Sequence, residues 1–428
     1  MKKVLIISYY WPPSGGAGVQ RWVKYSKYLN SAGVDVSVIT VDDKVASYSS
    51  IDESLIKDVD SNIKVYRTNS FEVINWYSSL VGKKNVPTAG FSNVNNEGWI
   101  QKLATAIRSN FFIPDPRIGW NKYAYKKAIE IIQKESITTV ITTSPPHSTQ
   151  LIGLKLKRKL SIKWIADLRD PWTDIYYYDL LRHSSISNKI NKQFESKVFK
   201  HADQILTVSK GLKSLFSQKF GSEIGSKTTI IYNGFDEDDF NGKTKSSINK
   251  NFTISYTGTI SDQYDPTLFL EALDTVSKKL SNISIMLQFV GTISSNIAKL
   301  AKSKHFETEL VSTVPHNLIN QYQVDADMLL LVIPNTTHAA GIATGKFFEY
   351  LASQNPIVCL GPKQGDVVDI LKATGAGKSF DRSQKRELIE YLKVQINNSV
   401  TGNLPRTKKF RIEQFSRQNQ ANEIKELI

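Results

Sequence analysis

The residues best suited to chemistry lie at positions 339–352, where a glycine-rich turn follows a buried apolar strand and opens a helix. Thr344 is predicted to be the N-cap of that helix, whose free N–H groups in the first turn can hold a diphosphate. Lys346 adds a positive charge, and Glu349, three residues further on, can accept two hydrogen bonds from ribose hydroxyls. The alternative is an exposed Lys346–Glu349 ion pair worth less than about 1 kcal/mol, which the apolar neighbours of Glu349 disfavour.

A second candidate anion site is the loop at positions 12–21, between the first predicted strand and the first predicted helix. Gly15, Gly16 and Gly18 let the backbone approach a phosphate at the helix N-terminus. In the dinucleotide-binding fingerprint a third glycine is expected where this chain has Arg21. A purely structural glycine turn is the alternative.

His147 follows a predicted strand at 139–143, and ligands of doubly wound sheets bind beyond the carboxyl ends of strands. We expect this histidine to donate a hydrogen bond to a sugar hydroxyl or a phosphate. The alternative is that its side chain caps or packs against the helix that follows.

The segment 164–174 leaves another predicted strand and contains three carboxylates and an arginine within eight residues. Asp167 and Asp170 are predicted to line a polar pocket, and the flanking Trp164 and Trp172 to stack on a sugar face. The alternative is a salt bridge between Arg169 and an aspartate that fixes the loop, with the tryptophans in the core.

An alternation of strands and helices positions these residues. A strand at 3–8, a helix at 19–32 and a strand at 34–40 form a βαβ unit, which is typical of a parallel doubly wound sheet. The alternation continues to residue 232, passes through a linker at 242–251 and begins again at 253. The sequence therefore predicts an α/β protein with domains at 1–241 and 252–405, followed by a final helix at 413–428.

Composition narrows the class of protein. A length of 428 residues favours two domains, and a single cysteine, Cys359, excludes an internal disulfide framework and fits a reducing compartment. No stretch approaches the roughly 20 apolar residues that span a bilayer, so a cytoplasmic location is expected. The net charge of +15 suits an anionic membrane face or phosphate-bearing substrates, and the alternative is a Lys-rich surface that keeps the protein in solution. Because the basic residues are scattered, nucleic acid is disfavoured as a partner.

With these motifs, the chain resembles the retaining GT-B glycosyltransferases of family four over nearly its full length. The opening glycine loop is similar to the donor-phosphate loop of that family. Further similar segments lie at 202–209, 230–236, 255–259 and 289–291. The resemblance implies two facing Rossmann-like domains with a cleft between them, and a C-terminal helix at 411–428 that packs back on the first domain.

The resemblance also implies roles for single residues. Glu349 matches the family's second paired glutamate, whereas Gly341 stands where the first is expected. Thr259, after Gly258, takes the place of the family's arginine, and Lys346 supplies the missing charge, as in a sub-branch that looks similar. An aspartate of 167–170 replaces the family's histidine.

The resemblance implies transfer of a hexose or similar sugar from a nucleotide diphosphate sugar to a glycan or lipid-linked acceptor, with retention, in surface polysaccharide biosynthesis. Positive charge at the leaving diphosphate then drives the reaction, without a metal or a further cofactor, at the inner membrane face. The expected catalytic residues are His147, Asp167 and Asp170. The expected donor-binding residues are Gly15, Gly16, Gly18, Gly258, Thr259, Thr344, Gly345, Lys346 and Glu349.

Three alternatives stay open. A nucleotide-sugar epimerase of the same architecture would need no acceptor. A dinucleotide-dependent oxidoreductase is favoured by Asp42 at the end of the second strand and disfavoured by Arg21. A nucleic-acid binder without enzymatic activity is the most distant.

Overall fold

The computed structural model describes residues 1–72, 107–175, 178–246, 251–336 and 339–428. These residues form two compact units. The first contains Met1–Tyr232 and Gln420–Ile428, and the second contains Asn233–Asn419. Each unit is built on its own parallel sheet.

The sheet of the first unit has seven strands among the described residues, in the order β3-β2-β1-β4-β5-β6-β7. All neighbouring pairs are parallel. The order reverses between β1 and β4, which is the switch point of a doubly wound sheet. The strands are β1 (Lys3–Ile7), β2 (Asp35–Val41), β3 (Lys64–Thr68), β4 (Thr139–Ser144), β5 (Lys163–Leu168), β6 (Gln204–Thr207) and β7 (Thr228–Ile230).

Helices cover both faces of this sheet, because successive side chains of a strand point to opposite sides. Val4 of β1 is buried in one layer with Val19, and Leu5 is buried in the other layer with Ala124. Among the described residues, the helices of this unit that precede residue 232 are α1 (Ala17–Ser31), α2 (Asn121–Glu135), α3 (Ser148–Lys159), α4 (Ser185–His201), α5 (Lys210–Phe220) and α6 (Ser222–Ser226).

The second unit repeats the plan with six parallel strands among its described residues, in the order β10-β9-β8-β11-β12-β13. Its switch point lies between β8 and β11. The strands are β8 (Phe252–Thr257), β9 (Ile285–Val290), β10 (Glu307–Val311), β11 (Met328–Val332), β12 (Ile357–Leu360) and β13 (Gly377–Phe380). The helices are α7 (Thr267–Lys279), α8 (Ser295–Lys302), α9 (His316–Asp325), α10 (Gly345–Ser353), α11 (Asp366–Thr374) and α12 (Lys385–Val400).

The last helix, α13 (Arg417–Leu427), begins four residues later than the sequence predicted. Glu413–Phe415 form a separate 3₁₀ turn instead. Within the first unit, Ala421 and Ile424 of this helix are buried in the same core layer as Val4. These contacts make the end of the chain part of the first unit.

The predicted fold class is confirmed, since both units are doubly wound parallel α/β sheets. The expected linker at 242–251 lies partly outside the described residues. Among the helices of the described chain, none combines the length and the apolar character that crossing a membrane requires.

Candidate functional site

Predicted site residues lie at the carboxyl ends of strands in each unit. In the first unit the glycine loop follows β1 and His147 follows β4, so both lie beside the switch point. In the second unit Gly258 follows β8, which is next to β11. Ligands of doubly wound sheets bind at such positions.

Lys346, in the first turn of α10, reaches back to the end of β8. Its Nζ donates a hydrogen bond to the Tyr256 hydroxyl at 2.7 Å and lies 4.1 Å from the centroid of that ring. A Cβ placed on Gly258 would stand only 3.1 Å from the same Nζ. The structure therefore brings Lys346 and Gly258 together.

Burial changes the pKa of the Lys346 side chain. It lowers the pKa of Lys346 to about 8, against the opposing effect of the Glu349 carboxylate. Among the ion pairs of the described residues, none joins Lys346 to Glu349. The exposed ion pair considered from the sequence is therefore not formed, and the ammonium group is held by an aromatic hydroxyl instead.

Glu349 is oriented by a residue that the sequence did not single out. Gln323 of α9, which is fully buried, donates from Nε2 to Glu349 Oε2 at 3.0 Å and to Thr257 Oγ1 at 3.2 Å. Within the described chain this bond is the hydrogen bond that Glu349 has, so its Oε1 is left for a donor from a ligand. A lone buried glutamine has no motif by which sequence reasoning would find it.

Thr344 is the N-cap of α10, as predicted, with an extended backbone. Its hydroxyl does not cap the helix, and within the described residues Oγ1 is buried without a partner. Gly345 is the first helical residue. The backbone oxygen of Thr259 accepts a hydrogen bond from the Tyr256 hydroxyl at 2.8 Å, which ties the turn after β8 to the aromatic ring beneath Lys346.

The three glycines predicted to bind phosphate in the first unit, Gly15, Gly16 and Gly18, have different environments. The N–H of Gly15 donates to Ser50 O at 2.9 Å, so this group is not free for the phosphate expected there. Gly16 precedes α1 with a φ of 107°, a conformation that other residues rarely adopt. Gly18 lies against Arg169, since an added Cβ would stand 2.6 Å from Nη1. The loop thus places the arginine beside the N-terminus of α1.

Arg21 and Asp167 form a buried ion pair beneath this loop, with Nη2 2.9 Å from Oδ1. The Asp167 carboxylate also accepts hydrogen bonds from Trp22 Nε1 at 2.7 Å and from Thr143 Oγ1 at 2.8 Å. Arg21 donates further to Ile231 O at 2.9 Å. The side chain of Asp167 is 0% exposed. Every one of these contacts joins Asp167 to the protein, which favours a structural role over the catalytic role expected from the sequence.

Asp170 differs from Asp167 in its burial and in its polar contacts. It is half-buried, and in the described chain its carboxylate has neither a hydrogen bond nor an ion pair. Burial raises the pKa of Asp170, and the neighbouring Arg169 opposes that shift. No described ion pair joins Arg169 to either aspartate, so the salt bridge considered from the sequence is not formed. The Nε of Arg169 donates to Ser144 O at 3.1 Å.

His147 stacks on Trp172 with ring centroids 4.8 Å apart and an angle of 11° between the planes. Burial, assisted by the Arg169 charge, lowers the pKa of His147 to about 3, so the imidazole is neutral at pH 7. Its Nδ1 has no partner among the described residues. Trp172 and Trp164 are both buried, so the expected stacking of these tryptophans on a sugar is wrong.

His147 is the N-cap residue of α3, but its side chain makes no capping hydrogen bond. Asp115 fills that place, because it accepts hydrogen bonds from the N–H of Ser148 at 2.7 Å and from its hydroxyl at 2.8 Å. No local pattern indicates this contact, since Asp115 lies 33 residues from Ser148. Among the described residues, no group of three or more His, Cys, Asp or Glu side chains is arranged to hold a metal ion.

Comparison with known proteins identifies a family that part of the chain matches. The family model described as Glycosyltransferase Family 4 matches residues 88–239. The chain carries a Glycosyltransferase Family 4 segment. This match includes the loop with Asp167 and Asp170 and confirms the resemblance to family four over these residues. No curated protein sequence matches the chain at a significant level.

Solved structures similar to the chain include that of TarM, with a TM-score of 0.63, 12% identity, and coverage of 100% of this chain and 98% of that one. A mutant of S. aureus TarM, in complex with Fondaparinux, alpha-GlcNAc-glycerol and UDP, has a TM-score of 0.57 at 12% identity, with coverage of 100% and 99%. WaaG, a glycosyltransferase involved in lipopolysaccharide biosynthesis, has a TM-score of 0.53 at 13% identity, with coverage of 99% and 95%.

A putative UDP-N-acetylglucosamine 2-epimerase from Listeria monocytogenes is also similar, with a TM-score of 0.50, 12% identity, and coverage of 99% and 95%. At these identities the similarities establish the fold. The family 4 segment thus belongs to a chain with the GT-B fold.

Proposed function

We propose that this chain is a retaining glycosyltransferase that moves a hexose or a similar sugar from a nucleotide diphosphate sugar to a glycan or lipid-linked acceptor. The observation that carries this proposal is the placement of Lys346. Its ammonium group lies beside Gly258 at the carboxyl end of β8, on a helix whose N-terminus is not capped by a side chain. The family 4 match and the GT-B fold support the same class of reaction.

The donor is assigned to the second unit. Its diphosphate would lie at the first turn of α10, where the free N–H groups and the Lys346 ammonium attract negative charge. Its ribose would be held by Glu349, whose Oε2 is fixed by Gln323 while Oε1 has no described protein donor. Tyr256, Gly258 and the turn at Thr259 would line the bottom of this donor site.

The first unit is assigned to the acceptor and the reacting sugar. Asp170 is the carboxylate that takes the place of the family's histidine, because Asp167 is committed to Arg21. His147 is held by Trp172 and is neutral, so it can exchange hydrogen bonds with a hydroxyl group. Arg169 adds positive charge beside Gly18.

Catalysis in this proposal is electrostatic. Breaking the bond between the sugar and the diphosphate moves negative charge onto the phosphate oxygens, and fixed donors aimed there stabilise the transition state more than the bound donor. The nucleotide sugar is a co-substrate, and the proposal includes neither a cofactor nor a metal. Retention rests on the resemblance to retaining enzymes of this family.

The proposal also includes a class of acceptor and a location for the protein. TarM has been solved with a GlcNAc-glycerol and UDP, and WaaG is described as acting in lipopolysaccharide biosynthesis. These descriptions favour an acceptor in surface polysaccharide biosynthesis. A net charge of +15 suits peripheral contact of a cytoplasmic protein with the anionic inner face of a membrane.

An epimerase is the second candidate, because one of the similar structures is a putative epimerase. Product analysis separates the two. The purified chain is incubated with UDP-, GDP- and ADP-hexoses, with and without detergent-solubilised membranes, and the products are identified by mass spectrometry and NMR. Release of nucleotide that requires the membranes and gives a new glycosidic bond supports the transferase. An isomerised sugar without any acceptor would establish the epimerase instead.

A further inference from the structure

We propose that Tyr256 is a positioning residue that holds the Lys346 ammonium at the diphosphate site, so that Tyr256 determines how tightly the donor binds and how binding depends on pH. This inference rests on the proposed function. It adds a residue that lies on β8, 90 positions away from Lys346, and that touches the lysine instead of the donor.

The hydroxyl of Tyr256 can act toward Lys346 only as an acceptor. Its single proton is donated to Thr259 O at 2.8 Å, and its oxygen accepts from Lys346 Nζ at 2.7 Å. Tyr256 is 1% exposed, so water does not compete for either bond. The chain Lys346–Tyr256–Thr259 therefore fixes the ammonium group relative to the turn that follows β8.

The ring of Tyr256 adds a second restraint. Nζ lies 4.1 Å from the ring centroid, which is within the range in which an aromatic face attracts a cation. Both contacts favour the charged lysine over the neutral amine. They oppose the burial that lowers the pKa of Lys346 to about 8.

Two of the three ammonium protons have no acceptor in the described part of the chain, since the bond to Tyr256 is the hydrogen bond that Lys346 makes there. Among the described residues, the charged or titratable groups facing this lysine are Tyr256 from β8 and Glu349 from its own helix. Tyr350 and Tyr264 act on Tyr256 in turn. Glu349 is the one carboxylate among these described groups, so the two remaining N–H bonds of the ammonium group can be donated to an anionic ligand such as a diphosphate.

The pH dependence follows from this arrangement. A diphosphate binds the protonated lysine, so binding above pH 8 requires proton uptake and weakens as pH rises. The terminal phosphate itself is ionised well below this range, with a second pKa of about 6. Removal of the Tyr256 hydroxyl leaves the buried ammonium with one acceptor fewer, and the fall in affinity then begins at a lower pH.

The experiment measures binding of UDP, and of inorganic pyrophosphate as a probe without a base, by calorimetry between pH 6.5 and 9.5. The variant is Tyr256→Phe, which keeps the ring and removes the hydroxyl. We expect its affinity at pH 7.5 to be about tenfold weaker, as loss of a hydrogen bond to a charged group implies. The weakening with pH should begin below that of the unmodified chain. Tyr350→Phe is the matched control, because its hydroxyl accepts from Thr257 N at 2.9 Å and not from Lys346.

A double-variant test separates positioning from general damage. In a Lys346→Met background, Tyr256→Phe should cause no further loss of affinity, because its partner is absent. The inference is overturned if Tyr256→Phe binds both probes as the unmodified chain does, or if its loss persists in the Lys346→Met background. Failure of the proposed function has a different signature, namely that Lys346→Met alone leaves the affinity unchanged.

Discussion

Arg21 and Asp167 are joined by a fully buried ion pair that connects the first turns of α1 to the end of β5. Arg21 occupies the place of the third glycine in a dinucleotide fingerprint, and it also donates to Ile231 O beyond β7. The space that a third glycine would leave for close packing is filled by a guanidinium group with protein partners. This packing strengthens the argument that Arg21 makes against the oxidoreductase alternative.

This pair is expected to be essential for stability and not for chemistry. Asp167→Asn should lower the free energy of unfolding by about 3–5 kcal/mol, because it leaves the Arg21 charge buried without its partner. Urea unfolding followed by circular dichroism measures this loss. A variant as stable as the unmodified chain would contradict the structural role of Asp167.

Asp170 should behave in the opposite way. Asp170→Asn is expected to reduce kcat for sugar transfer by about 100-fold or more, as loss of a carboxylate at the reacting centre implies. Because Asp170 has no hydrogen-bond partner in the described chain, the melting temperature should change little. Initial rates at saturating donor decide the point, with Asp167→Asn as the matched control. Undiminished turnover of the Asp170 variant would remove this residue from the catalytic proposal.

Gly18 is expected to affect the rate of sugar transfer through the position of Arg169. In Gly18→Ala the new Cβ would stand 2.6 Å from Arg169 Nη1, so the guanidinium must move. We expect the rate of transfer to fall in Gly18→Ala and in Arg169→Met, and the double variant to be no worse than the more impaired single one. Initial rates of the three variants test this. Losses that simply multiply would show that the two residues act independently.

His147 should make the protein sensitive to acid. Its folded pKa is about 3 and its ordinary value is 6.5, so the unfolded chain binds more protons between these values. The contribution of a neutral His147 to stability is thus present above pH 6.5 and is lost as pH falls towards 3. His147→Asn should lose less of its melting temperature than the unmodified chain between pH 7 and pH 4. Parallel curves for the two proteins would contradict the buried neutral imidazole.

Hydrophobic patterning predicted the central strands of both sheets closely, because parallel strands buried on both faces form short apolar runs. In the second unit the patterning predicts strands at 253–256, 285–290, 328–332 and 356–360, and β9 and β11 match it at both ends. The prediction omitted β10 and β13, which are the edge strands of the second sheet. β10 reads ETELV, with both glutamates exposed, so the pattern does not distinguish it from a loop.

The parts of the site that lie within one sequence motif could be predicted. Lys346 and Glu349 lie in one motif on one helix, and their positions follow from the glycine turn before them. Tyr256, Gln323 and Asp115 act across distances of 90, 26 and 33 residues on partners in other elements. Such contacts depend on the order of the strands, which local periodicity does not specify.

The central claim is that the second unit binds a nucleoside diphosphate through Lys346 and Glu349. The direct measurement is the affinity for UDP, ADP and GDP by calorimetry at pH 7.5, in the unmodified chain and in Lys346→Met and Glu349→Gln. Lys299→Met, which removes an exposed lysine of α8 in the same unit, is the matched control. The account predicts that each site variant binds the preferred nucleotide about tenfold or more weakly with an unchanged melting temperature, while the control binds normally. Equal affinity in all four proteins would contradict it.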